Sequence, residues 1–124
     1  MQIIIHRGTH QIGGVATEIR TSTTRILIDM GEELGNEDNF IPAPLSIPGV
    51  TDANGNCDAL LFTHYHGDHI GQLKNVRKDI PIYLGEFSKD VLLFTSPQTD
   101  IELETRLEQA KIFTPGVLFN VGDI

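Results

Sequence analysis

His64, His66, Asp68 and His69 fall within six consecutive positions, in the run His64-Tyr65-His66-Gly67-Asp68-His69. Imidazole and carboxylate donors of this kind suit zinc, manganese or iron, and packed this closely they can serve two ions. On an extended backbone, residues two apart point to the same side, so His64 and His66 can grip one ion together. Gly67 lets the chain bend sharply. Asp68 and His69 then face a neighbouring position, an arrangement suited to two metals roughly 3.5–4 Å apart. Each residue alone has a plainer reading: Asp68 is a favoured helix N-cap, a lone loop His is solvated, and Tyr65 packs. Three His and one Asp together favour the metal. His6 and His10 sit in a Gly-rich turn with no spacing that links them to the cluster, and they read as ordinary polar residues.

The elements that must position the cluster follow from pattern. Ile3-Ile4-Ile5 predicts a buried first strand, Val15 to Arg20 a second, and Arg25 to Asp29 a third, forming a β-meander. Residues 30–57 carry seven Gly and Pro residues with apolar side chains spread among them, which predicts a long loop walling a site. Asp58 to Thr63 is the strand before the cluster, and Asp68 to Lys78 reads as a helix with Ile70, Leu73 and Val76 on one face. A strand over 81–85, a helix over 86–94 and a strand over 117–121 follow. Thr99-Asp100-Ile101-Glu102 has the capping-box form, opening a helix with Leu103, Leu107 and Ala110 as its apolar stripe. Strands first and strand-helix alternation later place the chain in the α/β or α+β class.

The 124 residues suggest one domain with a respectable core. Nothing in the chain approaches the roughly 20 apolar residues of a bilayer span. A formal net charge of −8 gives no sign of a phosphate-binding face, so this segment does not hold nucleic acid by charge alone. The single cysteine, Cys57, fits a reducing cytoplasm and reads as a small residue at the edge of the core.

The run Thr63 to Gly71 resembles the HxHxDH signature of the metallo-β-lactamase superfamily, and Ile26-Leu27-Ile28-Asp29-Met30-Gly31 resembles that family's earlier strand end. The opening from His6 to Gly14, followed by Glu18, is similar to the RNA-processing branch of RNase J-like β-CASP exonucleases. The resemblance implies an α/β fold of the αββα type, here incomplete: residues 1–124 would be the N-terminal half, one β-sheet with flanking helices. It implies that His64 and His66 hold one divalent ion, zinc or manganese, and that Asp68 and His69 hold a second. Asp68 would also orient the attacking water for phosphodiester hydrolysis, and Asp29 would be a buried structural carboxylate. A later His, a bridging Asp and a final His normally complete such sites, yet no His follows His69, and Asp79, Asp90, Asp100 and Asp123 lack the expected context. The chain alone is therefore expected to show little or no activity, and its uncovered sheet to self-associate. RNA is the expected substrate of the parent enzyme. The alternatives are a thioester or lactam hydrolase of the same superfamily and an inactive fragment acting as an interaction module.

Overall fold

In the computed structural model, which describes residues 1–35, 39–96 and 100–124, the N-terminal alternating segments pair as an antiparallel meander. Its strands are β1 (Gln2–Arg7), β2 (Ala16–Arg20) and β3 (Arg25–Ile28). Three parallel strands extend it: β4 (Ala59–Leu61), β5 (Ile82–Gly85) and β6 (Lys111–Phe113). The result is one six-stranded sheet in the order β1-β2-β3-β4-β5-β6. Helix α1 (Gly67–Ile70) and a 3₁₀ turn over Leu73–Asn75 link β4 to β5, while α2 (Glu86–Thr95) and α3 (Ile101–Glu108) link β5 to β6.

Parallel neighbours require crossovers, and crossovers run right-handed. Every crossover here steps the same way across the sheet, so all the helices fall on one face. There Leu27, Leu60, Ile82 and Leu84 of the sheet meet Ile70, Leu73, Leu107 and Ala110, while Ile47 and Val50 of the long loop close the same core. The mixed α/β class with one sheet and flanking helices is the class that the sequence predicts.

Among the described residues, the opposite face carries no helix. Ile3 and Ile5 are 64% and 55% exposed there, so the first strand is not buried as its composition suggested. It is the edge strand, and its alternate residues point away from the core. Toward the other edge, Phe119 stacks on Tyr83 and Phe113, with ring centroids 5.5 Å and 6.0 Å apart.

Three further expectations need correction. The helix over 68–78 breaks after Ile70, because tertiary hydrogen bonds claim its backbone. Gln72 N–H donates to Met30 O, and the Arg106 guanidinium donates to the carbonyls of Leu73, Val76 and Arg77 at 3.0–3.1 Å. Residues 117–121 form no strand: Gly116 turns the chain at φ 77°, Leu118 is 99% exposed, and the edge of β5 is taken by the three-residue β6. The cap of α3 is Asp100, whose side chain accepts from Leu103 N–H; Thr99 lies outside the described residues. Among the described residues, no helix is long and apolar enough to cross a membrane.

Candidate metal centre

The sheet delivers the motif to the C-terminal end of its parallel strands, just after β4. β3 and β4 run parallel, and Asp29 N–H donates to Leu61 O at 2.9 Å, holding the two strand ends together. Phe62, the largest of the fully buried side chains, anchors the chain just before Thr63 and His64 emerge. Asp29 itself is 2% exposed and sits at φ 61°, a left-handed conformation that Asp tolerates better than most residues. Non-glycine residues are held there only where the surroundings dictate it.

What dictates it is hydrogen bonding. The Asp29 carboxylate accepts from Thr63 N–H at 2.8 Å, from the Thr63 hydroxyl at 2.9 Å, and from His69 Nδ1 at 2.8 Å. A neutral His69 that donates through Nδ1 keeps its Nε2 lone pair free, and Nε2 stands 3.5 Å from Asp68 Oδ2. Thr63 Oγ1 also lies 3.1 Å from His64 Nδ1. With its own proton given to Asp29, the hydroxyl accepts from His64 and leaves that ring's Nε2 free as well. This is the outer-shell arrangement that fixes the tautomer and orientation of metal-binding imidazoles.

His64, Asp68 and His69 each offer one donor atom, all within 4.8 Å of one another, and all three are half-buried. Their chemistry fits a divalent cation of the zinc or manganese kind. The His64 and His69 rings are 3.9 Å apart by centroid. His66 stands beside this group, exposed, with its ring edge-on to His64 at 4.8 Å. The tightest grouping thus joins His64 to Asp68 and His69 rather than pairing it with His66. Asp68 sits in the first turn of α1 and caps nothing; the N-cap position belongs to His66, which makes no side-chain capping bond.

Backbone bonds wall the motif. Val15 N–H donates to Asp68 O at 3.1 Å, Met30 N–H to His69 O at 2.8 Å, and Glu32 N–H to Gly67 O at 2.9 Å. Thr63 is the residue whose role the sequence did not reveal, although its place directly before the first His was the available signal.

The two other histidines stand outside this group. His6 Nε2 bonds Glu18 Oε2 at 2.9 Å, and neither His6 nor His10 joins the His64-Asp68-His69 group. Burial would raise the Glu18 carboxyl, but hydrogen bonds and charge from Arg25 and His6 outweigh it and hold the pKa below its ordinary value. Cys57 is buried, and burial pushes its thiol up, which suits a packing residue rather than a nucleophile.

The family described as the metallo-beta-lactamase superfamily matches residues 12–122. Among curated relatives, the Beta-lactamase-like protein 2 homolog of Caenorhabditis elegans is 32% identical over 105 residues, covering 77% of this chain and 34% of that protein. The Probable RNase MJ4 of Methanocaldococcus jannaschii is 28% identical over 95 residues, covering 74% and 21%. The Transcription termination factor FttA of Methanosarcina mazei is 32% identical over 89 residues, covering 69% and 14%. The chain thus spans about a third or less of each relative's length. A crystal structure of a protein of unknown function from Enterococcus faecalis V583 superposes with a TM-score of 0.57 at 19% identity, covering 73% of this chain and 27% of that one, a likeness of fold.

Proposed function

Because the chain belongs to the metallo-beta-lactamase superfamily, we propose that it carries the first metal-binding motif of a divalent-metal hydrolase acting on phosphodiesters, with RNA as substrate. Residues 1–124 are then the N-terminal half of the domain, and His64, His66, Asp68 and His69 are its metal ligands. The observation that carries this reading is the convergence of His64, Asp68 and His69 donor atoms within 4.8 Å, backed by Asp29 and Thr63. Two divalent ions, zinc or manganese, would supply Lewis acidity and a water acidified to near neutrality.

The chain's own residues have separable tasks. Asp29 holds His69, and through Thr63 it holds His64, so that both rings present Nε2. Asp68 binds and orients the attacking water, and its carboxylate can take up the proton released. The similarity to a protein named as a probable RNase supports the phosphodiester reading. A second reading, a thioester or lactam hydrolase, draws on the similarity to the beta-lactamase-like relative and on the net charge of −8, which repels a polyanion. The single buried cysteine supports a cytoplasmic location.

Shared between two ions, four candidate donors cannot give each the three or four protein ligands usual for zinc. The 124-residue chain alone therefore binds metal weakly and cleaves a single-stranded RNA oligonucleotide slowly or not at all. Dialysis against zinc or manganese followed by elemental analysis is expected to find metal on the wild type and at least about tenfold weaker binding in His64→Ala. Stoichiometric binding unaffected by that substitution removes the cluster from consideration.

The helix-free sheet face, with Ile3 and Ile5 exposed, also supports self-association. Gel filtration should show concentration-dependent elution that Ile5→Lys abolishes. A monomer at every concentration argues against this.

A further inference from the structure

Arg7, the last residue of β1, points its guanidinium at three loops at once. Nε donates to Gly14 O at 3.1 Å, Nη1 to Ala43 O at 3.1 Å and Nη2 to Gly31 O at 2.5 Å, while Glu33 Oε1 lies 3.8 Å from Nη1. The side chain is only 10% exposed. An Arg so enclosed with one distant carboxylate is held by its fan of carbonyls, a geometry that a single ammonium cannot reproduce.

All three carbonyls belong to segments that meet the candidate metal centre, or to the long loop behind it. Val15, next to Gly14, donates its N–H to Asp68 O, and Gly31 N–H donates to Val15 O. The Gly13 α-carbon lies so close that an added Cβ would stand 3.0 Å from the Asp68 Cβ. Asp68 is therefore seated against the 13–15 turn and the 30–32 segment, and Arg7 is the side chain that ties these two together. His69, by contrast, has its own tether in Asp29.

We infer that Arg7 is a positioning residue for Asp68: it sets where the Asp68 carboxylate meets a metal ion, and it does so through the Gly14–Val15 peptide, whose carbonyl accepts from Arg7 and whose N–H donates to Asp68 O. This rests on Asp68 being a ligand, as proposed above.

The experiment is a double-mutant cycle on the full chain, read as zinc affinity by competition with a chromophoric chelator. Arg7→Lys is expected to weaken zinc binding by about 10-fold or more, the usual scale for outer-shell losses. In an Asp68→Asn background the same change is expected to do almost nothing, because the group that it positions is already gone. Arg7→Gln provides a second variant, and circular dichroism of the metal-free proteins identifies whichever retains the wild-type fold for the comparison. Equal weakening in both backgrounds would show a general structural role and overturn the proposal, as would wild-type affinity in a folded Arg7 variant. A wild-type chain that takes up no zinc overturns the metal reading itself, and this inference with it. Zinc bound by the wild type but indifferent to Arg7 overturns this inference alone.

Discussion

Asp29→Asn is expected to lower zinc affinity about 10–100-fold while leaving the fold intact. The substitution changes the number of acceptors. The Asp29 carboxylate accepts from Thr63 N–H and the Thr63 hydroxyl and also faces His69 Nδ1. An amide has one acceptor oxygen, and its nitrogen only donates. If that oxygen keeps Thr63, the amide nitrogen confronts His69 Nδ1 and favours the tautomer protonated on Nε2, the atom needed for the metal. If it keeps His69, the Thr63 N–H loses its partner. Asn tolerates the φ of 61° as Asp does, so backbone strain does not confuse the result. Asp29→Ala is the contrasting variant. It removes every partner of Thr63 and His69 on that carboxylate and puts alanine in a left-handed conformation, with an expected loss of about 3 kcal/mol. Chelator competition measures the affinities, urea titration the stabilities, and nitrogen NMR of the imidazoles the tautomer of His69. Wild-type zinc affinity in Asp29→Asn would sink this account of the carboxylate.

The contrast between what the sequence revealed and what it hid has a physical pattern. The grouping of His64, Asp68 and His69 was legible because donors so close in sequence stay close in space, whereas His66 stands exposed beside them and not in the predicted pair with His64. The meander was legible for the same reason, since short apolar runs joined by short connections pair with their neighbours. Failures occurred where distant backbone competed. Asp68 to Lys78 has a helical apolar period, but Met30 and Arg106 take up hydrogen-bonding groups that a continuous helix would use. Lys111–Phe113 is too short to show a period, so only the open edge of β5 makes it a strand. Ile3 and Ile5 had the composition of core residues, yet the direction of the crossovers decides which face the helices cover. Arg7 and Thr63 escaped notice because each acts on groups far from it in sequence or through a single hydroxyl.

Gly31 and Gly67 separate two reasons for glycine beside one site, and their alanine variants should behave in opposite ways. Gly31 lacks a positive φ, so conformational freedom is not its purpose. Its purpose is space. An added Cβ would stand 1.7 Å from Asp68 O, 2.3 Å from the Asp68 carbonyl carbon and 2.9 Å from His69 N, all of them backbone atoms. No rotamer relieves that clash, and Asp68 O is already engaged by Val15 N–H. Gly31→Ala must therefore push the Asp68–His69 peptide away from the 30–32 segment, breaking the bonds that wall the motif. The expected cost is at least about 3 kcal/mol, at the upper end for overpacking, together with a further loss of metal affinity. Gly67 opens α1 with nothing within 4 Å of its would-be Cβ. Alanine there lowers the entropy of the unfolded chain and suits a helical turn, so Gly67→Ala should be neutral or stabilising by up to about 0.5 kcal/mol. Urea midpoints of the two variants test the first claim. Zinc affinity tests the second, because Gly67→Ala leaves the donor atoms where they are. A Gly31→Ala protein as stable as wild type would mean that the close approach of the 30–32 segment to Asp68 does not hold in solution, and Asp68 would then lack the wall that places it opposite His64.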